Sequence, residues 1–409
     1  MLTGRAFAVL GAGAALYVAS RLVGSPDLHM VALGLLALVP AAAFLVRVNR
    51  QRVTSLRRLS TRRTFPGGRV RVELEIHGDG RSRAPFLLLE DRVPPGLGPP
   101  ARAVAGDLPP GGRRVISYDL VPRARGRYPI GPLRVLVSDP FDLIRHVVPF
   151  RERQDLVVYP EVEDLGGARQ AAPAGSSGDS SSRQLFRSGE DFYTMRRYEV
   201  GDDLRLIHWP SVARTGDLMI RQDEAARRAS AVLFLDTREE ALGSWPEAFE
   251  RAVSAAASIG VHHLRAGYRV RLATPEQPPR YLDRDQMLDL LAVLQPSRVT
   301  SLSPGLRRLR DASSGGAALL VVTRVPSPAE VAELSRAGSG YGPKLAVLIH
   351  RVNPDDLHLE ARHNLDRETE LARRSLGRAG WDVILLPPNG RLHDAWTLRT
   401  KRPAIAASW

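Results

Sequence analysis

Two apolar stretches near the N-terminus constrain the fold more than any other feature of this sequence. Residues 6–23 (AFAVLGAGAALYVASRLV) and 28–46 (LHMVALGLLALVPAAAFLV) are apolar almost throughout, and only residues 24–27 separate them. A helix that crosses a bilayer needs about 20 predominantly apolar residues. The pattern therefore predicts two transmembrane helices joined by a tight turn. The alternatives are a cleaved signal peptide in the first stretch and a hairpin buried in a soluble core.

The arginines that follow the second stretch predict the orientation of this hairpin. Residues 47–63 contain no Asp or Glu and seven arginines, namely Arg47, Arg50, Arg52, Arg57, Arg58, Arg62 and Arg63. Positive charge beside a span marks its cytoplasmic side, and a basic juxtamembrane segment attracts anionic lipids. We therefore predict that residues 1–63 form the hairpin plus a lipid-facing basic segment, with both termini in the cytoplasm.

The net charge narrows the classes of partner. The 409 residues include 58 Lys and Arg against 44 Asp and Glu, a formal charge of +14, and half of that excess lies in residues 47–63. Proteins that bind single-stranded nucleic acid interleave basic and aromatic residues, but aromatic residues make up only 6% of this chain. We therefore expect no nucleic-acid partner. Binding of nucleic acid or another anionic polymer at the membrane remains the alternative.

Several enzyme classes lack their essential residues here. The chain contains no cysteine, which excludes thiol nucleophiles, disulfides and Cys-ligated metal sites. No G-x-S-x-G surrounds a serine, and neither G-x-G-x-x-G nor G-x-x-x-x-G-K-[ST] follows a predicted strand. We therefore predict a protein that is not an enzyme and has no cofactor.

The sequence pattern in the middle of the chain predicts a β-sandwich domain, which we place at residues 64–164. Residues 70–76 (VRVELEI) alternate strictly between apolar and polar side chains, and this period of two is typical of a half-buried strand. Similar runs occur at residues 86–91, 114–120, 133–138 and 146–150, separated by Pro and Gly clusters. Short strands at such spacing favour an antiparallel sandwich of immunoglobulin-like type.

The last part of the chain alternates strands with helices. Residues 165–188 are rich in Gly, Ser and Ala and predict a flexible linker, so the next domain is placed at residues 189–409. Continuous apolar runs at residues 231–235, 270–273, 318–322, 345–349 and 383–386 are typical of strands buried on both faces. Helical patterns between them predict an α/β domain with a parallel sheet, whose ligands would bind beyond the carboxyl ends of the strands.

The densest motif precedes this sheet, at residues 196–221 (RRYEVGDDLRLIHWPSVARTGDLMIR). Carboxylates interleaved with arginines suit a hydrogen-bonded ion-pair network. A partner-binding surface centred on Trp209 is a second interpretation. A hydrolase that uses Asp202, Asp203 and His208 is a third. If Trp209 is packed in a network, Trp209→Ala should cost about 3–5 kcal/mol.

A set of residues in this motif resembles the signature of the domain-of-unknown-function family fifty-eight. The set comprises Arg197, Tyr198, Gly201, Asp202, Asp203, Arg205, Ile207, His208, Trp209, Ser211, Ala213 and Arg214. Residues 125–128 (RGRY) and 139–141 (DPF) are similar to the sandwich domain of that family. The resemblance implies a bacterial cell-membrane protein that works with a MoxR-type AAA+ ATPase.

The resemblance also implies a last domain similar to von Willebrand factor A. Such domains often hold a divalent cation with a D-x-S-x-S motif after the first strand, because hard cations need converging oxygens. Here the strand is followed by Asp236, while Arg238 and Glu240 stand where serines are expected. An arginine opposes a cation, so we predict a degenerate site without metal, with Asp236 in a polar network.

These observations favour one function over two others. We expect a membrane-anchored cytoplasmic scaffold or adaptor that binds other membrane or envelope proteins. With the ATPase, it would assemble a membrane or envelope complex. The adjacent His262 and His263 point in different directions on a predicted helix and do not predict a metal pair.

Overall fold

The computed structural model describes residues 2–48, 53–78, 87–106, 108–109, 111–138, 141–166, 193–198, 207, 209–223, 229–313 and 316–401. The chain divides into two compact units, Met1–Pro160 and Glu161–Trp409. The chain is therefore multidomain, as predicted.

Two apolar helices open the first unit. Helix α1 spans Gly4–Val23 and helix α2 spans Pro26–Val48, which confirms the predicted helical pair. Gly24 ends α1 with a φ of +73°, a conformation that glycine adopts without steric cost, and the chain reverses there. Windows of 18 residues within Gly4–Val23 and Pro26–Phe44 have a mean hydropathy of 1.7 and 1.8, so the length and composition of these segments suit a membrane span. The crossing itself and its orientation stay predictions.

Short strands in antiparallel sheets form the rest of the first unit. They are β1 (Val53–Leu59), β2 (Arg63–Thr64), β3 (Val70–Gly78), β4 (Leu87–Asp91), β5 (Ala101–Ala105), β6 (Arg113–Leu120), β7 (Gly126–Ile130), β8 (Leu133–Ser138), β9 (Arg145–Phe150) and β10 (Gln154–Val158). The sheet orders are β1-β3-β6, β5-β4-β8-β9 and β2-β10-β7, and among the strands that the structure describes in this unit only the short pair β2–β10 is parallel. Inward side chains from all three sheets share one apolar core, as expected of a sandwich.

The structure begins this β-rich part earlier than the sequence predicts. Strand β1 lies inside the segment 47–63 that was expected to face lipid. Its inward positions include Arg57, which is only 4% exposed and bonded to Asp91. A buried arginine interrupts the apolar alternation, so this strand has the composition of a basic linker. The domain boundary thus moves from residue 64 to residue 53, and Arg57 does not face lipid.

The signature motif lies at the start of the second unit. Strand β11 (Tyr193–Arg197) pairs antiparallel with β12 (Met219–Asp223), and helix α3 (Trp209–Thr215) lies between them in the chain. Most of the predicted linker, from residue 167 to residue 188, is outside the described residues.

Strands and helices alternate through the remainder of the second unit. The strands are β13 (Ser230–Leu235), β14 (Arg269–Ala273), β15 (Arg280–Tyr281), β16 (Ala318–Arg324), β17 (Lys344–Ile349) and β18 (Asp382–Leu386). The helices are α4 (Pro246–Arg265), α5 (Arg284–Val293), α6 (Ser303–Asp311), α7 (Pro328–Gly338), α8 (Leu359–Arg378) and α9 (Leu392–Lys401). All five predicted strands are present in this unit, with helices between them as predicted.

These strands form one sheet of order β15-β14-β13-β16-β17-β18. Neighbours pair in parallel except for β15, which is an antiparallel edge strand. The strand order reverses direction at β13, whose two neighbours are β14 and β16. Doubly wound sheets bind ligands at such a switch point, outside the carboxyl ends of the strands. A ligand site is therefore expected at the residues that follow β13 and β16.

Candidate functional site

Asp236 and Thr323 bring polar groups to the switch point. Asp236 follows the last residue of β13, and Thr323 is the next-to-last residue of β16; both side chains are buried. The hydroxyl of Thr323 donates a hydrogen bond of 2.7 Å to Oδ2 of Asp236. The parallel pairing of β13 and β16 ends in register here, because the backbone N–H of Asp236 donates to Val322. The sheet thus places the two side chains together.

The buried guanidinium of Arg238 pairs with the Asp236 carboxylate. Its Nε donates to Oδ1 of Asp236 and its Nη2 donates to Oδ2, both at 2.9 Å. The backbone N–H of Arg238 also donates to Oδ1. Together with the Thr323 hydroxyl, these donors occupy the roughly four acceptor positions that the Asp236 carboxylate has. Asp236 therefore has no free acceptor for a metal while Arg238 is in place.

A second carboxylate completes this network. Nη2 of Arg238 donates to Oε1 of Glu330 at 2.8 Å, and Arg324 donates to Oε2 at 2.7 Å. Burial alone would raise the pKa of Glu330, but the backbone N–H of Ser327 and the two arginines outweigh it and lower that pKa. Burial would likewise lower the pKa of Arg238, yet its bonds to Asp236 and Glu330 raise it. The network therefore holds fixed opposite charges rather than a proton donor and acceptor.

The helix that carries Glu330 begins with a capping box. The side chain of Ser327 accepts from the backbone N–H of Glu330, and the Glu330 carboxylate accepts from the backbone N–H of Ser327. This S-x-x-E pattern was visible in the sequence. The contact between Glu330 and Arg238 could not be seen in the sequence, because only the order of the strands in the sheet brings residues 238 and 330 together. Glu330 is thus a site residue that sequence reasoning missed.

Glu240, the third position of the degenerate D-x-S-x-S motif, does not belong to the network of Asp236, Arg238 and Glu330. The Glu240 side chain is exposed, in a short π-helical turn at Glu239–Gly243. The backbone carbonyls of Glu240 and Ala241 accept hydrogen bonds from Arg351 at 2.8 and 3.0 Å. The guanidinium of Arg351 lies 4.4 Å from the centroid of the Trp245 ring, a cation–π contact. Glu240 is therefore not part of a cation cage with Asp236.

Only part of the signature motif falls on described residues. Gly201, Asp202, Asp203, Arg205 and His208 lie outside them, so the hydrolase hypothesis has no described geometry. Ile207 is buried, Tyr198 is half-buried, and Ala213 and Arg214 are exposed. Arg197 closes the pairing of β11 with β12, and Ser211 lies in α3. The motif thus joins one buried apolar position to exposed positions of α3.

Trp209→Ala is expected to change the free energy of unfolding by less than about 1 kcal/mol. Trp209 is 65% exposed at the first turn of α3, so it does not have the packing that would cost 3–5 kcal/mol. Surface substitutions are usually worth within ±0.5 kcal/mol. Thermal unfolding of the variant measures this, with Ile207→Ala as a buried comparison in the same motif. A loss above about 3 kcal/mol for Trp209→Ala would contradict the exposed placement.

His262 and His263 form an aromatic cluster rather than a metal pair. Their rings are 5.5 Å apart, and His262 lies 5.3 Å from Trp396. Nδ1 of His263 donates to the carbonyl of Ile259 at 2.8 Å. Within the described part of the chain, no three His, Asp or Glu side chains are grouped as metal ligands. Burial lowers the pKa of His263 to about 4.

Stability of the second unit is expected to fall as the pH drops from about 6.5 to 4. The unfolded chain protonates His263 near pH 6.5, whereas the folded chain does so near pH 4. The unfolded state therefore binds more protons in this pH range. His263 then lowers the free energy of unfolding by at most about 1.4 kcal/mol per pH unit. Unfolding of His263→Gln, measured at pH 7 and pH 4.5, should show a smaller loss than the parent chain. Equal losses in the two proteins would contradict this assignment.

Three comparisons place the chain among known proteins. Residues 194–361 match the family model described as protein of unknown function DUF58. The uncharacterized protein YeaD of Bacillus subtilis strain 168 is 28% identical over 252 residues, which are 59% of this chain and 58% of that relative. The match therefore spans little more than half of the relative's length.

Solved structures add no argument about the fold or the function. The CARDB domain of the PF1109 protein from Pyrococcus furiosus is 14% identical, covers 26% of this chain and 93% of its own, and has a TM-score of 0.20. The sporulation control protein Spo0M of Bacillus subtilis is 16% identical, covers 26% of this chain and 49% of its own, and has a TM-score of 0.16. The family model matches residues 194–361, the segment that carries the signature motif, and this match confirms the resemblance to DUF58 that the motif predicted.

Proposed function

We propose that this protein is a membrane-anchored, non-enzymatic adaptor whose second unit docks a partner protein. One observation carries the proposal: Arg238 fills the switch-point crevice with its own guanidinium. The place where a sheet of this kind normally binds a ligand is thereby part of the protein's own packing. We infer that recognition takes place on the surface of the helices that the network holds.

The strand order supports a von Willebrand factor A-like identity for this unit. Numbered from β13, the sheet has the order 3-2-1-4-5-6 of a doubly wound fold. The family resemblance implies such a domain at this position. For the first unit, the shared core of the antiparallel sheets supports the immunoglobulin-like interpretation. Both assignments belong to the proposal.

A groove between α6 and α7 is the docking surface that we propose. Its volume is about 250 Å³, its floor includes Leu306 and Ala337, and Ser303 and Glu333 bond to each other at 2.8 Å across it. Three exposed arginines complete the lining, namely Arg307, Arg310 and Arg336. None of the three forms an ion pair with a carboxylate in the described part of the chain. This combination suits an acidic segment with apolar side chains.

The Arg238 network connects directly to this groove. Nη1 of Arg238 donates to the carbonyl of Thr300, three residues before α6, while Nη2 holds Glu330 in the first turn of α7. The network therefore fixes the spacing between the two helices that line the groove. A rigid groove loses less conformational entropy on binding than a mobile one.

The family resemblance suggests which partner to test. We propose that a MoxR-type AAA+ ATPase docks an acidic segment here, during assembly of a membrane or envelope complex. The experiment measures binding of the purified ATPase to the full chain in lipid nanodiscs. A variant with Arg307, Arg310 and Arg336 all changed to Glu should bind about threefold to a hundredfold more weakly, since each exposed pair is worth about 0.2–1 kcal/mol. Binding should also weaken with added salt.

A matched control carries the same change of charge elsewhere in the second unit. Arg284, Arg367 and Arg378 are exposed and lie outside the groove. Their triple change to Glu should leave the affinity within about twofold of the parent chain. Equal weakening by both triple variants would show that net charge alone attracts the ATPase. No binding by the parent chain would reject the ATPase as the partner.

A further inference from the structure

One loop of the β-rich part packs against the helical hairpin. Residues 141–144 lie in the loop before β9, and Leu143 in this loop is only 2% exposed. Its side chain packs with Ala6 of α1 and with Val39 and Ala42 of α2. The loop therefore contacts both helices of the hairpin in one apolar cluster.

Hydrogen bonds fix this loop to the start of α1. The backbone N–H of Thr3 donates to the carbonyl of Leu143 at 3.0 Å, and the Thr3 hydroxyl donates to the carbonyl of Asp142 at 2.6 Å. Leu2 forms a β-bridge with Ile144. The Asp142 carboxylate accepts two hydrogen bonds from Arg145, at 2.7 and 2.6 Å. The loop is thus held in one conformation beside the helix end.

The contact lies inside the apolar length of α2. The predicted apolar stretch continues to Val46, four residues beyond Ala42. At 1.5 Å per residue, the level of Ala42 is about 6 Å inside the end of that stretch. A hairpin that spans a bilayer would therefore carry this loop to the headgroup–acyl boundary, where interfacial segments bury their apolar side chains by about 5–10 Å.

The exposed side chains of the loop suit that depth. Phe141 is 60% exposed, and Leu2 is 46% exposed. Arg5 and Arg145 are exposed beside them, and arginines near a helix end reach toward lipid phosphates while their stems stay in apolar surroundings. Apolar and cationic side chains are thus combined at one level of the hairpin.

We propose that residues 141–144, together with Leu2, form a second membrane contact, in which Phe141 and Leu2 enter the headgroup–acyl boundary of a lipid bilayer. The β-rich part is then held against the membrane by a surface loop as well as by the chain that leaves α2. This inference rests on the membrane anchoring in the proposed function. The occupant of the exposed apolar surface is lipid, because the loop packs on the hairpin inside its apolar length.

Spin labels can measure the depth of this loop directly. The chain has no cysteine, so each single-cysteine variant carries one label. Full-length Phe141→Cys, Leu2→Cys, Ala37→Cys and Val104→Cys are labelled with a nitroxide in nanodiscs of phosphatidylcholine and phosphatidylglycerol. Collisions with oxygen report lipid, and collisions with a water-soluble nickel chelate report water. Ala37 is exposed near the middle of the second apolar stretch, and Val104 is exposed on β5.

The labels at positions 141 and 2 should show an oxygen-to-nickel collision ratio several-fold above that at position 104. The label at position 37 should show a higher ratio still. If position 37 is in lipid while positions 141 and 2 both match position 104, the loop contact is wrong and membrane anchoring stands. If position 37 also matches position 104, the hairpin does not span the bilayer, and both proposals fail.

Discussion

Arg238→Ala is expected to destabilise the second unit by about 3–5 kcal/mol. The substitution leaves Asp236 buried without its guanidinium partner, and removal of one member of a buried ion pair costs about this much. Glu330 loses one of its two arginines at the same time. For a unit of this size, the loss corresponds to a fall in melting temperature of roughly 10 °C. Hydrogen exchange of β13 and β16 in the full chain measures the effect locally.

Two further variants separate the network from a general effect of charge. Arg374→Ala removes an exposed arginine that pairs with Glu370 on α8, and we expect a change within about 0.5 kcal/mol. The double variant Arg238→Ala with Asp236→Ala removes both buried charges, so it should be more stable than the sum of the single losses, by at least about 1 kcal/mol. Strict additivity of the two changes would contradict the network.

Asp91→Ala is expected to destabilise the β-rich part by a similar amount, about 3–5 kcal/mol. Asp91 is fully buried and accepts from Nε of Arg57 at 3.3 Å and from the hydroxyl of Tyr118 at 2.6 Å. Burial, together with the charge of Asp91, raises the pKa of Tyr118. The variant leaves the Arg57 guanidinium buried, with only the carbonyls of Ile130 and Glu152 as partners. Hydrogen exchange of β3 and β4 is the readout.

Asp119→Ala is the control for this prediction. Asp119 pairs with Arg71 at 3.2 Å on the surface of the same unit, and exposed pairs contribute about 0–1 kcal/mol. Exchange in β3 and β4 should therefore be close to that of the parent chain. If Asp91→Ala has no larger effect than Asp119→Ala, the buried pair does not stabilise the sandwich.

The sequence predicted the helices and strands that bury continuous runs of apolar side chains. The hairpin and the five parallel strands of the second unit are continuous apolar runs, and the structure contains all of them. It did not predict β1, because Arg57 occupies an inward position of that strand. It did not predict α6 either, because residues 303–311 (SPGLRRLRD) carry four charges and bury only a narrow apolar stripe. Elements stabilised by paired charge or by tertiary packing are harder to see in the pattern.

In the candidate site, only contacts between residues close in the chain could be predicted from the sequence. Asp236 was expected at a strand end in a polar network, and Arg238 was expected to oppose a cation. The bidentate pair between them follows from residues two apart in the chain. Glu330 and Thr300 come to Arg238 through the sheet order and the loop before α6. No spacing rule in the sequence could bring these three segments together.

Site-specific photocrosslinking in native membranes can detect a partner bound in the α6–α7 groove. A photoreactive phenylalanine analogue is placed at position 307 in the groove and, as the control, at position 378 on α8. We expect a discrete adduct with a MoxR-type ATPase from position 307, which disappears when Arg310 and Arg336 are both changed to Glu. Adducts that are absent from position 307, or identical from positions 307 and 378, would contradict docking at this groove.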